Sequence, residues 1–457
     1  MGKYFGTDGF RGEAGVNLTA DHAYKVGRFL GWYYNALRER SGNNEPARIV
    51  IGKDTRRSSY MFEYSLVAGL TASGADAYLL HVTTTPSVAY IARVDDFDCG
   101  IMISASHNPF YDNGIKLIDC YGEKMPEETL LLVEDYIDGK LHVFDQDWPE
   151  LPFAHREHIG CTVDYVAGRN RYMGYLISLG IYSFKGIKVG LDCANGASWN
   201  IAKSVFDALG ADTYVINNQP NGLNINLNAG STHIEGLQKF VVEKGLDVGF
   251  AYDGDADRCL AVDERGRVVD GDQILYVCGV YLNKHGRLSG GTVVPTIASN
   301  FGLVKSLELA GLSAVTSGVG DRHVYAKMRE GGYSLGGEQT GHTIFGDIER
   351  TGDGIMTSLR VMEVIRAERE TLSQLTAPCK LLPQAQVAVR VADKDTALEN
   401  MGVQNAIAEA EASLAGEGRV LVRKSGTESV IRVLAEAPDQ ASADAAMKRI
   451  AAALEAL

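Results

Sequence analysis

The sequence predicts a mixed α/β protein: three similar α/β domains and a smaller C-terminal α+β domain, arranged around a central cleft. Its 457 residues suffice for several domains with separate cores, at roughly 100–200 residues for each domain. A hydrophobic fraction of 45% with 22% charged residues is typical of a globular chain. Short β-branched runs alternate with segments of helical period, which favours α/β domains over helical bundles or β-sandwiches.

The predicted elements follow one another in a regular order. Strand-like runs lie at residues 48–52, 99–104, 187–192, 247–253 and 291–297, and helix-period segments at 21–38, 59–73, 201–209 and 355–369. Three stretches of the chain therefore share one plan, in which a strand leads through a small polar turn into a helix and a second strand. Towards the end, a strand, a helix over 396–414, two strands and an Ala-rich helix predict a compact β-α-β-β-α unit.

Two segments of loop composition predict the outer domain boundaries. Residues 145–153 are polar, and residues 376–386 contain two prolines. We expect four domains, which cover residues 1–150, 151–254, 255–372 and 373–457.

Charge and cysteine content exclude some classes of protein. With 44 Lys and Arg against 58 Asp and Glu, the net charge is −14, which argues against a protein that binds nucleic acid without sequence specificity. No stretch reaches the roughly 18 apolar residues that span a bilayer, so we expect no membrane partner. The seven cysteines include no C-x-x-C pair and several lie in apolar runs. Buried free thiols of this kind indicate a reducing compartment, and we expect the cytoplasm.

The first loop that carries candidate catalytic residues covers residues 103–116 and follows a predicted strand. Ser106 lies in a tight polar turn at the end of that strand, where its hydroxyl can face a cleft. A hydroxyl that carries a phosphoryl group needs nearby donors and a group that handles its proton, and His107 and Lys116 supply both. The alternative is a polar turn whose side chains bond only their own backbone.

The second loop, DGDADR, covers residues 253–258 between two predicted strands. Alternate positions of an extended segment point to one side, so Asp253, Asp255 and Asp257 can converge on one hard cation. An EF-hand is excluded because Arg258 occupies the sixth position, where the sharp turn requires glycine. Three protein oxygens leave room for water or phosphate, which suits Mg²⁺; the alternative is a solvated acidic turn.

The third loop, GGEQTGHTIFGD, covers residues 336–347. Its glycines permit close approach on either side of Glu338, Thr340 and His342, and a carboxylate with a hydroxyl suits vicinal sugar hydroxyls. A plain Gly-rich hairpin is the alternative interpretation.

The fourth loop, RKSGTESVIR, lies between two apolar strands at residues 423–432. Its concave turn offers hydroxyls and successive backbone N–H groups between two guanidinium groups, which predicts a phosphate site. The groups concerned belong to Arg423, Ser425, Gly426, Thr427 and Arg432. An exposed turn with ordinary surface arginines is the alternative.

Together the four loops resemble those of the α-D-phosphohexomutases. That family has a phosphoserine loop S-H-N-P, a metal loop D-G-D-x-D-R, a sugar loop G-E-x-S/T-G-H and a phosphate loop R-x-S-G-T-E. This chain has SASHNP, DGDADR, GEQTGH and RKSGTE in the same order. The resemblance extends along essentially the whole chain and is strongest to the branch that acts on glucosamine phosphates, as in IGKDTRRSS (51–59), GLNINLNAGSTH (222–233) and RTGDGIMT (350–357). Thr340, Lys424 and Ser429 depart from the usual Ser, Pro and Pro.

The resemblance implies a role for each loop. Ser106 would carry the phosphoryl group and Lys116 would act as general acid and base, supported by Arg11, His107 and Arg258. One Mg²⁺ per chain would be held by Ser106, Asp253, Asp255 and Asp257. Glu338 and Thr340 would bind the sugar 3- and 4-hydroxyls. The phosphate that does not react would be held by Arg423, Ser425, Gly426, Thr427 and Arg432, in a domain that hinges over the cleft.

The resemblance also implies the activity. It is an isomerase that interconverts glucosamine 6-phosphate and glucosamine 1-phosphate, with glucosamine or glucose 1,6-bisphosphate as intermediate or activator. Its product feeds UDP-N-acetylglucosamine and peptidoglycan precursors. The implied partner is a small phosphosugar, and a homodimer is the implied assembly. Two alternatives are a phosphomannomutase/phosphoglucomutase of the same superfamily and a phosphosugar-binding protein without turnover.

Overall fold

The computed structural model describes residues 2–425 and 429–457. The chain forms two compact units, one of Met1–Ile297 with Val315–Thr376, the other of Ala298–Ala314 with Ala377–Leu457. Sheets flanked by helices recur along the chain, so the predicted mixed α/β class is confirmed. Among the described residues, no helix combines the length and apolar character needed to cross a bilayer.

The first part of the chain builds a sheet with both parallel and antiparallel strands. Its elements are β1 (Phe5–Gly6), β2 (Gly9–Glu13), α1 (Ala20–Arg40), β3 (Arg48–Lys53), α2 (Arg57–Ala72), β4 (Asp76–Val82), α3 (Thr85–Val94), β5 (Cys99–Ile103), β6 (Asp112–Asp119), α4 (Glu127–Ile137), β7 (Leu141–Val143) and β8 (Gln146–Trp148). Strands β4, β3 and β5 are parallel, whereas β6 and then β2 continue the sheet in antiparallel pairs. Strand β5 is buried along its whole length because helices cover both faces of the sheet.

The second part of the chain starts with a strand that joins the first sheet. Its elements are β9 (Thr162–Asp164), α5 (Val166–Ser178), β10 (Lys188–Asp192), α6 (Ala202–Ala208), β11 (Asp212–Ile216), α7 (Glu235–Lys244), β12 (Val248–Tyr252), β13 (Cys259–Asp263) and β14 (Val268–Val269). Strand β9 pairs in parallel with β4, so the first sheet extends past residue 150. The remaining strands form a second sheet in the order β11-β10-β12-β13-β14.

The third part of the chain carries shorter strands. Its elements are α8 (Gly271–Lys284), β15 (Thr292–Val294), α9 (Phe301–Leu309), β16 (Ser313–Ala314), α10 (Asp321–Gly331), β17 (Leu335–Gly337), β18 (Thr343–Phe345), α11 (Gly354–Glu368) and α12 (Leu372–Thr376). Strand β17 pairs in parallel with β15 and forms an antiparallel hairpin with β18.

The C-terminal part has the predicted β-α-β-β-α order, with one helix divided in two. Its elements are β19 (Gln384–Arg390), α13 (Lys394–Glu399), α14 (Met401–Ser413), β20 (Arg419–Lys424), β21 (Val430–Glu436) and α15 (Gln440–Glu455). The prediction of one helix over 396–414 is wrong at Asn400, which has extended backbone and caps α14 by accepting the N–H groups of Gly402 and Val403. Asparagine favours this cap position because its side chain satisfies N–H groups that lack a partner within the helix.

A buried carboxylate links the first three parts of the chain. Glu349 is 4% exposed and pairs at 3.3 Å with Arg93 of α3. The hydroxyl of Tyr175 on α5 also donates to Glu349. Burial raises the pKa of Glu349 to about 7, although Arg93 and the Tyr175 hydroxyl lower it.

We expect Glu349→Gln to remove part of the pH dependence of stability. Because an acid of raised pKa binds its proton more tightly in the folded chain, its contribution falls as pH rises from the unfolded value of about 4.5 towards 7. The stability of the variant relative to wild type should therefore rise by about 3 kcal/mol between pH 4 and pH 8. Calorimetric melting temperatures across this range check the result, with Glu330→Gln at an exposed position as control. A temperature difference that stays constant with pH contradicts the prediction.

Candidate active site

Three neighbouring strands bring Arg11, Ser106 and Lys116 together. Ser106 follows the carboxyl end of β5, and Lys116 lies on β6, opposite Met102 of β5. Arg11 lies on β2, opposite Gly114 of β6. The loop over residues 104–111 therefore returns the chain directly to the neighbouring strand.

The Ser106 hydroxyl is buried among polar groups. It donates to the Asp253 carboxylate at 2.5 Å and lies 3.3 Å from His107 Nδ1. Arg258 Nη1 lies 3.2 Å from the same ring nitrogen. Burial, together with Arg258 and Arg11, lowers the pKa of His107 to about 4, so this ring is neutral near pH 7.

Three buried carboxylates lie beside this serine, in the loop between β12 and β13. Oxygens of Asp253, Asp255 and Asp257 all lie within 4.8 Å of one another. The extended backbone predicted for this segment is wrong. The loop is a turn in which Ala256 has a left-handed backbone (φ 56°), so the carboxylates converge around a bend.

The residues of this cluster fit a divalent cation. Oδ1 of Asp255 and Oδ1 of Asp257 are buried and accept no hydrogen bond from any described residue. Burial and the charges of Asp257 and Asp255 raise the pKa of Asp253 well above its ordinary value. Unsatisfied buried oxygens and mutual repulsion are both relieved by a hard cation, which prefers carboxylate ligands.

Lys116 partly compensates the carboxylates. Its ammonium lies 2.7 Å from Asp255, 3.2 Å from Asp8 and 3.6 Å from Asp257. Burial alone lowers the pKa of Lys116, but the attraction of these three carboxylates outweighs burial and raises it above the ordinary value. Lys116 is therefore a protonated donor in this arrangement.

The hairpin between β17 and β18 carries the predicted sugar-binding residues. Glu338 Oε1 accepts the backbone N–H of Gly320 at 2.9 Å, and Thr340 is exposed. His342 is buried, with Nδ1 at 3.8 Å from Asp257. Through this contact the hairpin lies next to the carboxylate loop.

The predicted phosphate-binding residues lie in the second compact unit. Arg423 on β20 is directly opposite Arg432 on β21. Ser425 is buried, and its carbonyl accepts the Lys394 ammonium at 2.7 Å. Gly426 and Thr427 lie outside the described residues.

Sequence reasoning missed several residues at the serine and carboxylate loops. Asp8 lies between three cations: it pairs with Arg11, Lys116 and Lys124. Burial opposes ionisation of Asp8, but Lys116, Lys124 and Arg11 hold its pKa well below the ordinary value. Thr85 donates to Asp255 at 2.5 Å. The only sequence signal for Asp8 is its position three residues before Arg11 in TDGFRG, whereas Thr85 has no signal.

Comparison with known families covers most of the chain. Models of the phosphoglucomutase/phosphomannomutase family match all four of its domains in order: α/β/α domain I at residues 2–142, domain II at 171–266, domain III at 270–381 and the C-terminal domain at 387–453.

Individual relatives agree with the family models. The phosphoglucosamine mutase of Lachnospira eligens is 62% identical over 437 residues, which cover 96% of this chain and 95% of that protein. A solved family member from Burkholderia thailandensis superposes with a TM-score of 0.78 at 21% identity, covering 99% of this chain and 97% of that one. N-acetylphosphoglucosamine mutase of Aspergillus fumigatus superposes with a TM-score of 0.62 at 20% identity, covering 92% and 85%. The chain thus belongs to the phosphoglucomutase/phosphomannomutase family of α-D-phosphohexomutases and, within it, to the phosphoglucosamine mutase isomerases.

Proposed function

We propose that the chain interconverts glucosamine 6-phosphate and glucosamine 1-phosphate through a phosphorylated Ser106. The observation that carries this proposal is the contact of the Ser106 hydroxyl with Asp253, inside a buried cluster of three carboxylates and flanked by Arg11, His107, Lys116 and Arg258. A buried serine beside hydrogen-bond donors, three of them positively charged, and beside a cluster that can bind a cation suits a group that gains and loses a phosphoryl group.

In the transfer step, a free hydroxyl of the sugar forms a bond to phosphorus while the bond between phosphorus and Ser106 Oγ breaks. Oγ leaves with a proton from Lys116, and Lys116 regains a proton from the attacking hydroxyl. The sugar is then a 1,6-bisphosphate. After it reorients, the reverse step returns its other phosphoryl group to Ser106. Arg11, His107 and Arg258 stabilise the phosphoryl oxygens during transfer.

Asp253, Asp255 and Asp257 would hold one Mg²⁺, together with an oxygen of phosphorylated Ser106. The bound cation supplies positive charge that offsets the charge on the phosphoryl group. The fungal N-acetylphosphoglucosamine mutase named above has been solved with GlcNAc-6P and magnesium, and a serine-to-alanine variant of it with glucose 1,6-bisphosphate. By this analogy we assign Mg²⁺ as cofactor and a 1,6-bisphosphate of glucosamine or glucose as intermediate and activator.

Substrate positioning falls to the remaining loops. Glu338 and Thr340 would bind the sugar 3- and 4-hydroxyls, which suits a bisphosphate that binds in two orientations. In the second unit, Arg423 and Arg432 would hold the phosphate that does not react. Arg423 and Arg432 are directly opposite each other on paired strands, so both guanidinium groups can bind one phosphate.

Parallel assays of the 6-phosphates of glucosamine, glucose and mannose test the proposal. We expect the highest kcat/KM for glucosamine 6-phosphate. A higher value for glucose or mannose 6-phosphate would assign the chain to the other branch of the family, and no turnover of any of them would indicate a binding protein. A homodimer and a cytoplasmic location stay predictions, which sedimentation analysis and cell fractionation check.

We expect Arg423→Glu to raise the KM for glucosamine 6-phosphate by about 100-fold, because a charge-assisted hydrogen bond is lost and a repulsive charge is introduced. Steady-state kinetics measure the change. Arg449→Glu is the matched control, since Arg449 lies on α15 in the same unit and is 47% exposed, and its reversal changes the net charge equally. Equal kinetics for the two variants would refute the assignment of Arg423 to phosphate binding.

A further inference from the structure

Ser106 has an unusual backbone conformation. Its φ is +52°, in the left-handed region that non-glycine residues seldom adopt. A residue keeps such a conformation only where the surrounding structure enforces it, and these positions concentrate at functional sites. The Ser106 N–H donates to Ser104 Oγ at 2.9 Å, which satisfies one side of the peptide. The Ser106 carbonyl is held by other groups.

Arg56, in the turn between β3 and α2, holds the carbonyl side. It is completely buried, and its Nη2 donates to the carbonyls of Ser106 at 3.0 Å and Asn108 at 2.6 Å. The guanidinium is anchored by the buried Asp54 carboxylate, which also accepts Ser59 Oγ at 2.9 Å. Asp54 therefore fixes the orientation of the Arg56 guanidinium that binds the serine loop.

Asn226 holds the same two carbonyls from the second part of the chain. Its Nδ2 donates to Ser106 at 2.8 Å and to Asn108 at 3.0 Å. Gly254 closes the remaining side, because a Cβ at this position would lie 2.4 Å from the Ser106 carbonyl oxygen. Two side chains remote in sequence thus grip one pair of carbonyls, against the backbone of the carboxylate loop.

We propose that Arg56 and Asn226 are positioning residues, which clamp the serine loop so that Ser106 keeps its left-handed backbone while its phosphoryl group comes and goes. The inference rests on the proposed role of Ser106 as phosphoryl carrier. Both residues bind backbone carbonyls that no substrate replaces. Their loss should therefore lower the rate of phosphoryl transfer and leave substrate affinity unchanged, since misplacing a reacting atom affects mainly the chemical step.

The loop of Asn226 offers a matched pair of variants. Asn226 and Asn228 both have left-handed backbones, with φ of 59° and 48°, but Asn228 is exposed. Glycine tolerates this conformation, so Asn226→Gly and Asn228→Gly make the same neutral change with little backbone strain. Only the first removes donors from the serine loop. Arg56→Lys is a second test, because a lysine keeps the charge but lacks the planar fork that reaches Asp54 and both carbonyls.

Three measurements are made on each protein. They are single-turnover transfer from radiolabelled phosphoserine enzyme to glucosamine 6-phosphate, steady-state kinetics, and the melting temperature. For Asn226→Gly we expect transfer and kcat to fall by about 10-fold to 100-fold, corresponding to the loss of two hydrogen bonds, with KM within about twofold of wild type. Asn228→Gly should behave as wild type in all three measurements.

The outcomes separate the clamp from the role of Ser106. An Asn226→Gly protein that transfers at the wild-type rate overturns the clamp. So does a loss that appears in KM alone, or one that Asn228→Gly shares. If wild-type Ser106 carries no transferable phosphate, the proposed function fails instead. If the Arg56→Lys protein does not fold, the comparison of Asn226→Gly with Asn228→Gly still tests the clamp.

Discussion

Replacing Ser106 with alanine is expected to lower mutase activity by at least about 10,000-fold, because the variant lacks the oxygen that carries the phosphoryl group. The Ser106 hydroxyl donates to Asp253 at 2.5 Å, so the change removes the oxygen next to the carboxylate cluster. The fold should tolerate the change, because alanine meets the same left-handed backbone as serine and loses only the two hydroxyl contacts with Asp253 and His107. The melting temperature should therefore fall by only a few degrees.

Three measurements check this prediction: turnover of glucosamine 6-phosphate, mass spectrometry of the peptide that contains residue 106, and binding of glucosamine 6-phosphate by calorimetry. We expect loss of turnover and of the phosphopeptide, with binding retained. Ser178→Ala is the control, since Ser178 lies on the exposed side of α5 and donates only to a backbone carbonyl of its own helix. More than about a tenth of wild-type turnover in Ser106→Ala would exclude Ser106 as the phosphoryl carrier.

The secondary structure was predictable to within a few residues where periodicity is strong. The helix expected over 355–369 is observed at Gly354–Glu368, and the strand expected over 187–192 at Lys188–Asp192. Apolar spacing encodes such elements locally. The break at Asn400 was missed because the flanking segments share the helical period, and the cap depends on one side chain that folds back on the backbone. The domain boundaries stay predictions.

The residues proposed to contact the substrate were predictable because each belongs to a compact motif. The residues that hold these motifs in place were not predictable. Arg56 contacts the carbonyl of a serine 50 residues away, and Asn226 contacts the same carbonyl from a distance of 120 residues. Both side chains bind backbone carbonyls. Because every residue has a backbone carbonyl, no side-chain pattern in the sequence predicts which one Arg56 or Asn226 will bind. Asp8 likewise acquires its role only when β2 and β6 become neighbours.

Removing divalent cations is expected to lower mutase activity by at least about 1,000-fold, and adding Mg²⁺ should restore it. The expectation rests on the Oδ1 atoms of Asp255 and Asp257, which are buried and accept no hydrogen bond from the part of the chain that the structure describes. Lys116 contacts Asp255 and Asp257 through their Oδ2 atoms, so it does not occupy the two Oδ1 atoms. Two carboxylate oxygens are therefore available as ligands of a divalent cation.

Thermal stability gives a second measure of the same site, independent of turnover. A cation that binds only the folded chain stabilises it by about 2.7 kcal/mol at 100 times its dissociation constant, so the melting temperature of the cation-free protein should rise with added Mg²⁺. Asp255→Asn removes one ligand charge and should abolish the rise, whereas Asp212→Asn, at an exposed position on β11, should preserve it. Full activity after exhaustive chelation would remove the metal from the mechanism. A Mg²⁺-dependent shift that persists in Asp255→Asn would place the cation elsewhere in the molecule.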